Sequence, residues 1–264
     1  MANIIEVSDL GCEEVSLFRL GENALRHYFE PKEGLFIAES LRVIERALAA
    51  GCLPYKALVG RDELEQSLEL LSGHDELEIY VGDDELLSQI AGFKLVRGVL
   101  CAMHRRPLPT VEQVCENAER VAVLENVVNP TNVGAIFRSA AALGMDAVLL
   151  TKGCADPLSR RAARVGVGTV FQAPWTFCEN ATDVKRFGFK MAGMALTENS
   201  VSLDGLEPPT GRLAVVMGNE NNGISPETLS ECDLTVRIPM MNGVDSLNVA
   251  AASAVAFWCF GRRI

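Results

Sequence analysis

The 264-residue sequence predicts an α/β protein of two domains, a smaller α/β domain followed by a larger one built on a parallel sheet. Three observations lead there. Short apolar strand candidates alternate with segments of helical periodicity along the whole chain. After residue 120 those strand candidates become near-continuous apolar runs, the pattern of strands covered by helices on both faces. Between the two regions, HRRPLPT (104–110) breaks the alternation with Pro107 and Pro109, which cannot sit inside regular structure. The expected organisation is therefore 1–106, a linker over 107–119, and a second domain over 120–264.

In the first domain, LFIAE (35–39) reads as a strand and SLRVIERALAAG (40–51) as the helix after it. Ser40 stands where a cap is wanted, apolar residues recur at Leu41, Ile44 and Leu48, and Gly51 stops the helix. KALVG (56–60), residues 77–82 and GVLCAM (98–103) are further strand candidates. Helical periodicity fills 61–72 and 83–91. In the second domain the strand candidates are RVAVLEN (120–126), DAVLLT (146–151), FKMAGMAL (189–196), LAVVMG (213–218) and LTVRIPM (234–240). Helices are expected over 132–143, 157–165 and 226–231, the last opened by Ser225-Pro226, a cap followed by proline at the first helical position. A final helix over 246–261 is rich in alanine and serine, so neighbouring backbones can approach it closely.

Composition narrows the function. No apolar run approaches the roughly 20 residues that span a bilayer, and the N-terminus lacks the basic and apolar regions of a signal peptide. Eight cysteines without a CxxC pair suggest reduced, mostly buried thiols in a cytoplasmic protein, not a disulfide frame or zinc site. The net charge of −11 opposes nonspecific nucleic-acid binding, which draws on Lys and Arg. The charge is uneven: 19 acidic against 11 basic residues over 1–110, and 16 against 13 over 111–264. Arg160, Arg161 and Arg164 form a local basic cluster.

Neither GxGxxG after a strand nor GxxxxGK[ST] occurs, so no dinucleotide site or P-loop is indicated. His27, His74 and His104 all lie at or before the linker, and acid–base chemistry in the second domain must use other groups. That domain offers three polar clusters at the C-terminal ends of strand candidates, where open α/β sheets bind ligands. They are NVVNPTNVGAIFRS (126–139), MGNENNGIS (217–225) and IPMMNGVDSLNVAA (238–251).

In order and spacing these three segments resemble the motifs of the SpoU/TrmH branch of the SPOUT methyltransferases. The first motif is N-x-G-x-x-x-R-[ST], met by Asn132, Gly134, Arg138 and Ser139. The second is G-x-E-x-x-G, met by Gly218, Glu220 and Gly223. The third is I-P-M followed by S-L-N-V-[AS], met from Ile238 to Met240 and from Ser246 to Ala250. The resemblance covers 120–264, with a looser likeness of the first domain, through FIAES and VIERAL, to a substrate-binding module similar to certain ribosomal proteins. It implies a deep trefoil knot in the second domain, an exception to the rule against knots. It implies S-adenosylmethionine as methyl donor, a ribose 2′-hydroxyl of ribosomal or transfer RNA as acceptor, and a homodimer with the active site across the interface.

The resemblance also assigns residues. Arg138 is the central catalytic group; because guanidinium hardly deprotonates, it acts as an orienting charge more than as a base. Glu220 orients Arg138 or accepts charge from it, while Asn132, Ser246 and Asn248 hold substrate and loop. Gly218 and Asn219 meet the donor, Ile238 and Leu247 clamp its adenine, and Met240, Ala195 and Leu196 line the pocket. No metal is required. Arg164 is the expected RNA contact in 156–175, and Arg19, Arg26, Lys32, Arg105 and Arg106 are the RNA candidates of the first domain.

Taken singly, each residue has a plainer explanation: Arg138 a surface arginine, the glycines turn residues, Ser225 a cap, Glu220 a solvated carboxylate. Three motifs in order outweigh those readings. Two other functions fit less well. A non-catalytic RNA-binding protein would not need Arg138, Glu220 and Asn248 together, and an S-adenosylmethionine-dependent enzyme acting on a small molecule or a protein is disfavoured by the first domain, which a small substrate would hardly need.

Overall fold

The computed structural model describes residues 3–9, 13–92 and 98–262, which fall into two compact units. The first comprises Met1–Pro107 together with Leu158–Phe171, and the second Leu108–Pro157 with Gln172–Ile264.

The first unit is a five-stranded mixed sheet. In chain order it contains β1 (Asn3–Glu6), α1 (Glu22–Arg26), β2 (Leu35–Glu39), α2 (Leu41–Ala49), β3 (Pro54–Gly60), α3 (Leu64–Leu70), β4 (Glu78–Gly82), α4 (Asp84–Ala91) and β5 (Val99–His104). The spatial order is β1-β4-β3-β5-β2, parallel from β1 to β3 and antiparallel where β5 pairs with β3 and β2. Every residue of β2 is buried, which explains its clear apolar signature. Ser40 departs from expectation. It precedes α2 at φ 88° without a side-chain capping bond, because a left-handed residue cannot hold the extended geometry of a capping serine. Gly51, at φ 82°, does end the helix.

The second unit holds α5 (Val111–Cys115), β6 (Arg120–Leu124), α6 (Pro130–Ala142) and β7 (Ala147–Thr151). After α7 (Arg160–Val165), which packs in the first unit, it continues with β8 (Trp175–Cys178), β9 (Lys190–Met194), β10 (Val201–Ser202), β11 (Leu213–Met217), α8 (Pro226–Ser230), β12 (Leu234–Arg237) and α9 (Val249–Phe260). Its seven strands run in the order β10-β12-β9-β11-β6-β7-β8, and every pair is parallel. All residues of β7 and β11 are buried, as continuous apolar runs require. β8 and β10 have no counterpart among the sequence candidates; at four and two residues they are too short for periodicity to register.

Several expected boundaries shift, each for a local reason. The segment 107–119 is no plain linker: Thr110 and Gln113 form a reciprocal capping box that opens α5. β12 stops at Arg237 because Pro239 has no amide to give a sheet. β9 stops at Met194, which leaves Ala195 and Leu196 in the loop beyond. α9 starts at Val249, since the Asn248 side chain caps it by accepting from the Ala250 amide at 2.9 Å. Ser246 and Leu247 therefore lie in the chain approaching the helix.

The larger departure concerns 158–171. Sequence order assigns it to the second domain, yet α7 packs on β2 and Phe171 against Phe36. Glu39, 6% exposed at the end of β2, accepts from Arg164 Nη1 at 2.9 Å, with Arg160 Nε 3.8 Å from its other oxygen. Arg46 donates to the Val167 carbonyl at 2.6 Å. The expected RNA arginine, Arg164, is thus engaged by a buried carboxylate. A chain cut at residue 110 would keep this segment and lose the surface it covers.

Among the described cysteines, Cys52, Cys101, Cys115 and Cys178 are buried and all seven are free thiols; Cys12 lies outside the described residues. Burial pushes Cys101 and Cys178 up to about 12, and Cys115 and Cys232 to about 11. In the unfolded chain these thiols ionise near their ordinary value of 9.0, so above it the unfolded state binds fewer protons than the native state. Stability is then present below pH 9.0 and lost as pH rises toward the folded values. Urea denaturation at pH 8 and pH 10 is expected to show the lower midpoint at the higher pH.

Candidate active site

The C-terminal ends of β9, β11 and β12, neighbours in the sheet, enclose a cavity of about 610 Å³, within the range of small-molecule sites. All seven residues expected at the donor line it: Ala195, Leu196, Gly218, Asn219, Ile238, Met240 and Leu247. So do Glu220, Ser246 and Asn248. Its wall mixes apolar side chains with loop backbone.

The three motifs meet through one chain of hydrogen bonds. Asn132, 6% exposed near the start of α6, donates from Nδ2 to Glu220 Oε1 at 2.7 Å. Its Oδ1 accepts from Asn248 Nδ2 at 3.2 Å. A carboxylate can only accept, so this pairing fixes which way the Asn132 amide points. Asn132 does not line the cavity itself; it holds the two residues that do. Within the chain, the hydrogen-bond partner of Glu220 is Asn132.

Arg138 is the one catalytic candidate set apart. It lies six residues after Asn132 on α6, about 240° around the helix axis at 3.6 residues per turn. While Asn132 is buried, Arg138 is exposed, and it is absent from the cavity wall.

The second motif is shaped by its own backbone. Asn219 and Gly223 exchange amide–carbonyl bonds at 2.9 Å, and the Asn219 carboxamide oxygen accepts from the amides of Asn221 and Asn222 at 2.9 and 3.1 Å. Its Nδ2 donates to the carbonyl of Asn126 at 2.7 Å, tying the second motif to the first. A Cβ on Gly218 would fall well inside contact distance of the Gly223 and Ile224 backbone. A side chain at Gly218 is therefore excluded by the chain's own backbone.

Sequence reasoning missed Glu125. It ends the apolar run of β6, is 6% exposed, and takes three hydrogen bonds from the start of α8. Its Oε2 accepts from the Ser225 amide at 2.8 Å, and its Oε1 from Ser225 Oγ at 2.9 Å and Thr228 Oγ1 at 2.6 Å. Ser225 Oγ in turn accepts from the Thr228 amide at 3.2 Å. The only sequence trace is an acidic residue closing an otherwise apolar strand candidate. Glu125→Ala strands three donors, the buried Thr228 hydroxyl and the part-buried amide and hydroxyl of Ser225, and a buried donor left unsatisfied costs about 1–3 kcal/mol. A loss of ~2–4 kcal/mol in chemical denaturation is expected, together with weaker donor binding.

The SpoU rRNA Methylase family matches residues 119–258. The chain belongs to this family. S-adenosylmethionine is the family's cofactor, and the cavity's size and lining suit it. Curated relatives agree: a Mycobacterium bovis protein named an uncharacterized tRNA/rRNA methyltransferase is 39% identical, covering 86% of this chain and 80% of its own. The Acinetobacter baylyi 23S rRNA (guanosine-2'-O-)-methyltransferase RlmB is 30% identical, covering 76% and 85%. The solved AdoMet-bound rRNA methyltransferase from Sinorhizobium meliloti superposes with a TM-score of 0.80 at 25% identity, over 97% of this chain and 96% of that one.

Proposed function

We propose that this SpoU-family chain transfers a methyl group from S-adenosylmethionine to a ribose 2′-hydroxyl of structured RNA, ribosomal in the first instance, and that it does so in the cytoplasm as a homodimer with a knotted second domain. The observation that carries the reading is the Glu220–Asn132–Asn248 hydrogen-bonded chain at the wall of the 610 Å³ cavity. The names of two relatives support the acceptor: RlmB, above, and the Bacillus subtilis 23S rRNA (guanosine(2553)-2'-O)-methyltransferase RlmP, 27% identical over 85% of this chain.

When bound, S-adenosylmethionine supplies an electrophilic methyl group. The chain's own residues do the rest. Ile238 and Leu247 offer apolar contact to the adenine, while Met240, Ala195 and Leu196 exclude water around it. Glu220, held by Asn132, places a fixed negative charge at the cavity. Arg138 orients the 2′-hydroxyl and stabilises the charge that develops on its oxygen.

Because Arg138 does not line the cavity of its own chain, we assign it to the cavity of a second copy. α9 supports that arrangement, since Val255 and Trp258 on one side of it are 38% and 65% exposed. In this reading the first unit recognises RNA. Mapping 2′-O-methyl positions in ribosomal and transfer RNA from cells with and without the gene tests the proposal: one ribose methylation should disappear, and an unchanged map would overturn it.

A further inference from the structure

One wall of the 610 Å³ cavity is the loop 195–200 between β9 and β10, which contributes Ala195, Leu196 and Thr197 to the lining. Its last residue, Ser200, is 6% exposed and does not line the cavity itself. Ser200 directly precedes β10, whose pairing with β12 sets Val201 beside Val236. The short strand thereby anchors the Ser200 backbone to the sheet.

The loop closes on the Ser200 hydroxyl. Ser200 Oγ donates to the Ala195 carbonyl at 2.7 Å and accepts from the Thr197 amide at 3.0 Å, and Thr197 Oγ1 lies 2.8 Å from it. A hydroxyl has one proton and two acceptor lone pairs, and the Ala195 carbonyl takes that proton. Thr197 Oγ1 is therefore the donor of its pair with Ser200, and it is left to accept from Thr235 Oγ1 of β12 at 3.5 Å. The Ser200 amide returns to the Thr197 carbonyl at 3.0 Å, and the Ala195 amide is held by the Val236 carbonyl at 3.0 Å. Leu196, exposed at the wall, thus sits between two residues that one buried hydroxyl fixes. We infer that Ser200 is a positioning residue for the methyl donor: it sets the 195–197 wall in its binding shape before the donor arrives. A wall ordered in advance spares binding the entropy of ordering it. The inference rests on the reading that the donor occupies this cavity.

The test is calorimetric titration of S-adenosylmethionine into the full chain and its variants, which reports affinity and number of sites separately. Ser200→Ala should bind about tenfold more weakly with the number of sites unchanged. Thr197→Val keeps both backbone contacts of the Ser200 hydroxyl and should lose no more than about threefold. A role in stability alone would lower the number of sites and leave the affinity of the folded fraction as it was. That result, a Ser200→Ala affinity within twofold of wild type, or a Thr197→Val variant as impaired as Ser200→Ala would overturn the assignment. Leu247→Asp, which sets a charge against the apolar wall, tests the cavity separately and should weaken the donor more than tenfold. Unchanged binding there would overturn the placement of the donor and Ser200's role with it; weakened binding there beside an unaltered Ser200→Ala would overturn the role of Ser200 alone.

Discussion

Replacing Arg138 by alanine is expected to lower single-turnover methyl transfer to hypomethylated ribosomal RNA by about 10²–10³, the usual effect of losing one preorganised charged group. Stability and donor affinity should hardly change. Arg138 is exposed and lies outside the cavity, and such surface substitutions stay within about 0.5 kcal/mol. A rate within threefold of wild type would remove Arg138 from its role. The cross-subunit assignment has its own check. Mixing Arg138→Ala protein with inactive Glu220→Gln protein and allowing exchange makes half of the dimers mixed, each with one intact site. Recovery of about a quarter of wild-type activity is expected from that symmetry. No recovery would mean that both residues serve the same chain's cavity.

Gly218→Val should nearly abolish donor binding, with a cost to the fold as well. The added Cβ meets the Gly223–Ile224 backbone, so the loop from 218 to 225 cannot keep its closed form. That loop supplies Asn219 and Glu220 to the cavity and presents Ser225 to Glu125. Overpacking of this kind costs typically ~1–3 kcal/mol, and displacing Glu220 breaks its bond to Asn132. Calorimetric titration of S-adenosylmethionine, beside a thermal melt, reads both effects. Even Gly218→Ala should weaken binding, because the clash begins at Cβ. A stable, fully binding Gly218→Ala protein would show that the loop yields at little cost and does not shape the cavity.

Much of the second unit was legible before its structure. Strands of a parallel sheet are covered on both faces, so β6, β7 and β11 read as unbroken apolar runs, and a helical cap such as Ser225 is set by neighbours within three residues; α6 starts at Pro130, capped by Asn129, two residues before the expected 132. The three motifs could be recognised and aligned on the family; residues of the second and third do gather at one cavity, and Asn132 of the first is hydrogen-bonded to two of them.

What the tertiary structure alone decided depends on partners far apart in sequence. Glu125 and Thr228 are 103 residues apart, Asn132 and Asn248 are 116 apart, and Arg164 and Glu39 are 125 apart; no local periodicity carries such pairings. The same holds for the segment 158–171, placed with the first unit by packing on β2, and for Gly218, whose missing side chain answers to backbone five residues on. Arg138 is the sharpest case. Its motif names it, but whether it faces its own cavity depends on the rotation of α6 about its axis, which is set by burying Asn132, Val133, Ile136 and Phe137 on the opposite side. Sequence determines which groups are present and which elements carry them. The path of the chain determines which of them meet, because a hydrogen bond reaches about 3 Å whatever the number of residues between its ends.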